Sequence, residues 1–290
     1  MKSTKKGLFL VIASGIVFGI MPSAITFCYS QGANKLLVLL FRYLTLTAVL
    51  FPIVAKQKNT WSLYRKNWLK FFLLSLAGVS TPLLLYSAYS LLPTGVVTTI
   101  HFLYPTIVAL ACVFVFHEKL SKLKLVCLIL CVTGMLFMLD TSGQTLNAVG
   151  LVITVASSLT WATYIVLLDK LDFQDATSTQ IMFCVSVNGV VLALIVALAS
   201  GMLAVSVPVV GWLAIVGTSI FISVCGALFF AIGVRETDAQ VSSIASTLEP
   251  ITSLLVGVLI LNEGITVLSA IGAVLILTAV ILLSVYGGKE

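Results

Sequence analysis

Charge is scarce in this sequence. Only 9% of its 290 residues are Asp, Glu, Lys or Arg, while 60% are hydrophobic. A soluble domain carries about 25% charge, so an ordinary soluble fold is excluded. Catalytic signatures are missing as well: there is no Walker loop, no HExxH, no GxSxG and no CxxC. The residues therefore point to no enzyme, and to no ATP-hydrolysing phosphate loop. Six cysteines (Cys28, Cys112, Cys127, Cys131, Cys184, Cys225) lie inside apolar runs without metal-ligand spacing. They read as small membrane hydrophobes, and neither a disulfide framework nor a metal site is expected. No cofactor is implied. The ten-residue alternation of a membrane β-barrel is absent too, because the apolar runs are long and continuous.

What is present is a series of long apolar segments. Ten spanning helices are predicted, near 7–29, 34–55, 68–91, 94–117, 122–140, 146–168, 178–200, 208–233, 239–261 and 265–286. Each is long enough to cross about 30 Å of hydrocarbon at about 1.5 Å per residue. The first run follows Lys2, Lys5 and Lys6 and is too long for a signal-peptide core, so it reads as a spanning helix. With a cytoplasmic N-terminus, 14 of the 16 basic residues fall on the inner side, in five connecting or terminal groups from Lys2 to Arg235 and at Lys289. Lys35 alone falls outside, and Arg42 lies within a helix. That bias predicts both termini inside, and it makes the +6 net charge a signal of topology with no bearing on nucleic acid.

The chain also repeats itself. GLFLVIASGIVFG from Gly7 resembles GLVITVASSLTWA from Gly150, and Tyr104-Pro105…Glu118 is matched 145 positions on by Glu249-Pro250…Glu263. Two halves are expected, 1–144 and 145–290, with five helices each. An odd number of crossings per half inserts the second half upside down. The predicted fold class is thus an all-α integral membrane protein built as a 5+5 inverted-topology repeat, an architecture of secondary transporters with the substrate site at mid-membrane.

Glu249 is the focus of the pattern. An acidic residue at the centre of a membrane helix costs about 2.5–3.5 kcal/mol, so something must offset it. Ser242, Ala245, Ser246, Thr252 and Ser253 share its helical face and form a stripe of small and hydroxyl side chains. Glu249 suits proton exchange, since the uncharged acid is cheaper to bury than the anion. It equally suits a neutral, hydrogen-bonded acid that supports a Pro250 kink.

Other helices carry polar and aromatic faces: Ser75, Gly78, Pro82, Tyr86 and Tyr89; Thr94, Thr98, His101, Tyr104 and Pro105; Thr154, Ser157, Trp161 and Tyr164; Ser219, Ser223, Gly226 and Phe230. Together they predict a central amphipathic cavity for a small zwitterion or an organic ion with an apolar part. The expected cavity residues are Tyr86, Tyr89, His101, Tyr104, Trp161, Tyr164, Ser246 and Glu249. Glu249, His101, Arg42, Pro105 and Pro250 are expected in coupling or gating. His101 reads either as a neutral imidazole bonded to a hydroxyl or as a cavity group meeting substrate or proton. Arg42 would snorkel, pair with an acid or bind a carboxylate. Asn188 reads as an interhelical hydrogen bond, Glu118 and Glu263 as ties to loops or lysines. Tyr43, Trp61, Tyr64, Trp68 and Tyr286 read as interfacial anchors.

The order and spacing of GLFLVIASGIVFG, Arg42, LYP and HEKL of helix 4, and LEP (248–250) with LNE (261–263) resemble the drug/metabolite transporter superfamily, in particular its EamA-type members. The resemblance spans the whole chain. It implies a basket of helices 1, 3, 4, 6, 8 and 9 around the cavity, with helices 5 and 10 peripheral. It implies export of amino acids or related metabolites across a bacterial-type inner membrane, by exchange or on a proton gradient. The partners expected are a small-molecule substrate, the bilayer and protons, with no nucleic acid and the oligomeric state open. Proton-coupled export of lipophilic cations through Glu249 is the alternative.

Overall fold

A computed structural model describes residues 4–92, 94–138, 147–173, 176–201, 206–261 and 266–286. Among these residues the chain is helical and contains no strand. The first half comprises α1 (Thr4–Ser30), α2 (Lys35–Val54), α3 (Thr60–Lys66), α4 (Trp68–Ala88), α5 (Thr94–His101), α6 (Tyr104–Phe114) and α7 (Lys122–Met138). The second comprises α8 (Ala148–Lys170), α9 (Ser178–Ala199), α10 (Val209–Ile220), a π-helical stretch (Phe221–Leu228), α11 (Phe229–Glu236), α12 (Ala239–Ala245), α13 (Leu248–Leu261) and α14 (Val267–Tyr286). The expected division at 144/145, together with Glu263 and Lys289, lies outside the described residues.

Polar gaps in the sequence supply the helix starts. Asn34 accepts a hydrogen bond from Leu37 N (2.9 Å), Asn147 accepts from Val149 N and Gly150 N, and Thr177 with Gln180 forms a reciprocal capping box. Between these caps the helices are apolar almost all round. Their outward faces are large hydrophobes such as Leu213, Leu259 and Val267 (69%, 76% and 76% exposed). The buried positions include Ser14, Ser75, Thr154, Ser157, Ser186, Ser223 and Ser246. Polar inside and apolar outside is the distribution a bilayer demands.

Among the described residues, eight helical segments are long and apolar enough to cross a membrane. Two of the ten expected crossings are not among them, for separate reasons. α7 has 17 described residues, and the crossing expected at 239–261 is broken between α12 and α13. The break falls at Ser246 and Thr247, just ahead of Pro250. The crossing expected at 94–117 is likewise broken at Phe102 and Leu103, ahead of Pro105. Proline has no N–H for the carbonyl four residues back and its ring crowds that carbonyl. The continuous helices expected here are therefore each two helices in series, interrupted at matching places in the two halves.

Residue pairings fix the relative directions. α4 and α8 are antiparallel, with Thr81 on Thr160 and Gly150 against Leu92. α1 is antiparallel to the run from α10 to α11, with Cys28 on Thr218, Ser14 on Gly226 and Gly7 against Gly233. Exchanging the halves converts one of these pairings into the other. The same holds for α1 beside α13 (Gly15 by Leu248, Gly19 by Thr252) and α8 beside α5–α6 (Ser157 on His101, Trp161 by Tyr104), both parallel. α2 and α9 pair with each other, Thr47 on Ser186 and Phe51 by Phe183. α7 and α14 also pair across the halves, where a Cβ on Gly134 would lie 2.6 Å from Gly272 O. Small residues let these two backbones touch.

Candidate central cavity

The halves meet around a small cavity lined by Arg42, Tyr43, Gly78, Trp161, Tyr164, Met182 and Ser223, among others. Its volume of about 30 Å³ gives room for about two waters. A metabolite needs it wider. Every wall comes from a helix that packs across the boundary between halves, so relative movement of the halves would change its size.

Its centre is aromatic. Trp161 stacks between Tyr164 (5.1 Å) and Phe230 (5.2 Å), and Phe18 (6.2 Å) and Tyr104 (6.4 Å) meet it edge-on. Gly226 makes room for this cluster, since a Cβ there would lie 2.8 Å from the Phe18 ring. The π-helical stretch turns Gly226 and Ser223 inward, and both are tied down: Ser14 donates to Gly226 O (2.9 Å) and Ser223 donates to Arg42 O (2.8 Å). Extra residues in a helical turn are frequent at functional sites.

Arg42 reaches this cluster from α2. Its guanidinium lies 5.8 Å above the Phe18 ring, and Nη1 donates a long bond of 3.5 Å to Tyr86 Oη. Among the described residues no carboxylate lies within ion-pairing distance of it. It also interacts electrostatically with Tyr43 and Tyr164. Glu249 approaches from α13, half-buried, and its carboxyl makes no hydrogen bond or ion pair among the described residues. Its electrostatic neighbours are Tyr89, Tyr104 and Arg42.

His101 and Tyr104 form a buried polar cluster at the α5–α6 break. Ser157 Oγ donates to Thr154 O (2.7 Å), so its one proton is committed and His101 Nδ1 is the donor in their 2.9 Å bond. Likewise Ser246 Oγ donates to Ser243 O (3.0 Å), which leaves Tyr104 to donate to Ser246 Oγ at 2.6 Å. That bond joins the break in the first half to the break in the second.

Arg42, Trp161 and Tyr164 thus line the cavity, Tyr86 and Tyr104 touch its walls, and His101 and Ser246 stand behind Tyr104. Pro105 and Pro250 are buried next to the two breaks. Tyr89 caps α4. Tyr43 is corrected: expected at the interface, it is buried (7% exposed), donates to Gly78 O (2.9 Å) and lines the cavity. Tyr64 is corrected too, since it donates to Asn188 Oδ1 (2.6 Å) and stacks on Phe71. Trp61 and Trp68 are exposed, as anchors would be. Ser223 was expected on a face towards the cavity, whereas Met182 and the π-helical stretch were not foreseen as a wall. Sequence carries no signal for one extra residue per turn.

One end of the bundle is laced together by charge. Lys170 bonds Glu118 and lies 2.7 Å from Asp169, Gln240 donates to the other Glu118 oxygen (3.1 Å), and Ala239 N donates to Asp169 (3.3 Å). Lys124 pairs with Asp238 (3.2 Å), which caps α12. This seam ties the ends of α6 and α8 to the start of α12, and so ties half to half.

An all-helical bundle of two related halves, apolar outside and with a polar, aromatic cavity between them, has the make-up of a membrane transporter. The EamA-like transporter family matches twice, at residues 5–140 and 148–285, and the chain belongs to that family and to the drug/metabolite transporter superfamily. It is a multi-pass membrane protein whose family members move small molecules. No curated protein sequence matches it. A crystal structure described without a function shares the fold, with a TM-score of 0.79 over 99% of each chain at 17% identity.

Proposed function

We propose that this chain exports amino acids or related small metabolites across a bacterial-type inner membrane by alternating access. It crosses ten times with both termini cytoplasmic, as two inverted five-helix halves divided near 144/145. The observation that carries the reading is the cavity at the boundary between halves, where stacked rings stand beside Arg42, which pairs with no carboxylate among the described residues. Rings would hold an apolar side chain and the polar groups would hold the backbone atoms of a metabolite. The charge bias puts the seam of Lys170, Glu118 and Asp169 on the cytoplasmic side, so opening inward breaks that seam. The two broken helices, one per half, supply hinges at equivalent depth.

A second reading, exchange of lipophilic cations for protons, is favoured by one observation: the carboxyl of Glu249 makes no hydrogen bond or ion pair among the described residues. Proteoliposomes with an imposed pH gradient separate the two, using labelled amino acids and one cationic dye with wild type beside Glu249→Gln. Amino-acid flux that survives the substitution supports the exporter and assigns Glu249 to structure. Flux of the dye alone, abolished by Glu249→Gln in a folded protein, overturns it.

A further inference from the structure

An arginine and a carboxyl group lie inside this bundle without forming an ion pair with each other. Arg42 has only a long bond to one tyrosine hydroxyl, and the Glu249 carboxyl has no bond among the described residues. Every other described ion pair lies in the seam at one face. An arginine at this depth without a carboxylate partner is costly, and an acid in the same bundle that does not pair with it leaves that cost standing. Their surroundings differ in a consistent way. Arg42 touches the hydroxyl of Tyr86 and is in electrostatic reach of Tyr43 and Tyr164, while Glu249 is in electrostatic reach of Tyr89 and Tyr104. Phe18 joins the two poles: its ring lies under Arg42, while Gly15, one turn earlier, and Gly19, the next residue, pack on the start of α13.

We infer that Arg42 and Glu249 are the two poles of one binding site for a zwitterion, the carboxylate held by the Arg42 guanidinium and the ammonium by the Glu249 carboxylate, with the apolar side chain on the rings of Phe18, Trp161 and Phe230. The inference rests on the export reading for the location of the site and goes beyond it by assigning the residue that holds each charged end of the cargo. The guanidinium fork matches a carboxylate with two parallel bonds, whereas a lipophilic cation would be repelled by it. Binding satisfies both charges together, so a ligand bearing one charge leaves the other pole bare.

The test is binding to purified protein in nanodiscs with no gradient. Labelled phenylalanine is competed with its amide, with phenethylamine and with 3-phenylpropionate. Wild type is expected to prefer phenylalanine to each analogue by about 10- to 100-fold, the range for loss of a charged hydrogen-bonding partner. Arg42→Gln is expected to weaken phenylalanine by a similar factor and to level it with the amide. Glu249→Gln is expected to level it with 3-phenylpropionate, and Arg42→Lys to restore part of the preference for the acid. Equal binding of acid and amide by wild type overturns the inference, and needs no variant to fold. So does a preference that survives Arg42→Gln, or no binding of any zwitterion in the panel. The pattern of binding without flux in vesicles would leave the two-pole site standing and defeat the export reading. Flux of phenylalanine and its amide at equal rates would do the reverse.

Discussion

The approach of α1 to α13 gives the sharpest test of the packing. A Cβ added at Gly19 would lie 2.5 Å from Thr252 Cβ and 2.6 Å from Glu249 O. The second neighbour is backbone and cannot rotate away. An ordinary carbon–oxygen contact is about 3.4 Å, so Gly19→Ala must separate the helices by about 0.8 Å. Overpacking of this kind costs about 1–3 kcal/mol, of which the better helix propensity of alanine returns up to about 1. A net loss of about 1–2 kcal/mol is expected, seen as a melting temperature lower by about 3–6 °C in thermal unfolding of the detergent-solubilised protein. Gly217→Ala is the control, because nothing lies within 4 Å of its Cβ position. It should melt at or slightly above the wild-type temperature. The displacement also moves the backbone that carries Glu249, so Gly19→Ala should slow flux as well. Equal melting temperatures for Gly19→Ala and Gly217→Ala would refute the reasoning.

Lys170→Met strips the cation from Asp169, whose side chain is 4% exposed, and from Glu118. The expected loss is about 1–3 kcal/mol, below that of a fully buried pair because Glu118 is partly solvated. Adding Glu118→Gln should recover part of the loss in a double-mutant cycle, and strict additivity would disprove the seam. Tyr104→Phe removes the bond to Ser246 but leaves the serine donating to Ser243 O, so a cost of only about 0.5–1.5 kcal/mol is expected in unfolding. Tyr104→Glu sets a second carboxyl beside Glu249. It should lower the melting temperature well below that of Tyr104→Phe, and Glu249→Gln in the same chain should restore most of the difference. Absence of rescue would mean that the two positions do not meet.

The legible part of this protein was what lipid dictates. Continuous apolar runs, lysines gathered in alternate gaps and a repeat at an offset near 144 follow from hydropathy and topology alone. Trp161, Tyr164 and Arg42 could be picked out because large polar or amphipathic groups inside a membrane run need an interior to face. What escaped was geometry set by contacts. Pro105 and Pro250 announce a disturbance, but whether a helix bends or stops depends on neighbours that satisfy the freed carbonyls. Tyr43 near a helix start reads as an anchor until Gly189 and Gly78 on other helices open a slot for its ring and an acceptor for its hydroxyl. The π-helical stretch is held by Ser14 and Arg42 O, more than 180 positions away in sequence.

The repeat itself explains why only one half carries the acid. Residues preceding the two prolines occupy equivalent places, and the breaks beside them are joined by Tyr104 and Ser246 across the boundary between halves. Two carboxyls at those places would face each other in a medium of low dielectric, where like charges cannot both persist. Tyrosine in the first half removes the repulsion and keeps a hydroxyl that donates across the boundary. On the two-pole reading the substitution also breaks the symmetry of the site: one pole is left acidic, and Arg42, whose counterpart in the second half is the apolar Val185, makes the other basic. A duplicated fold with equivalent halves would offer a symmetric cavity to an asymmetric ligand. Divergence at Tyr104 and at Arg42 gives it a direction, which is what a molecule with unlike ends requires.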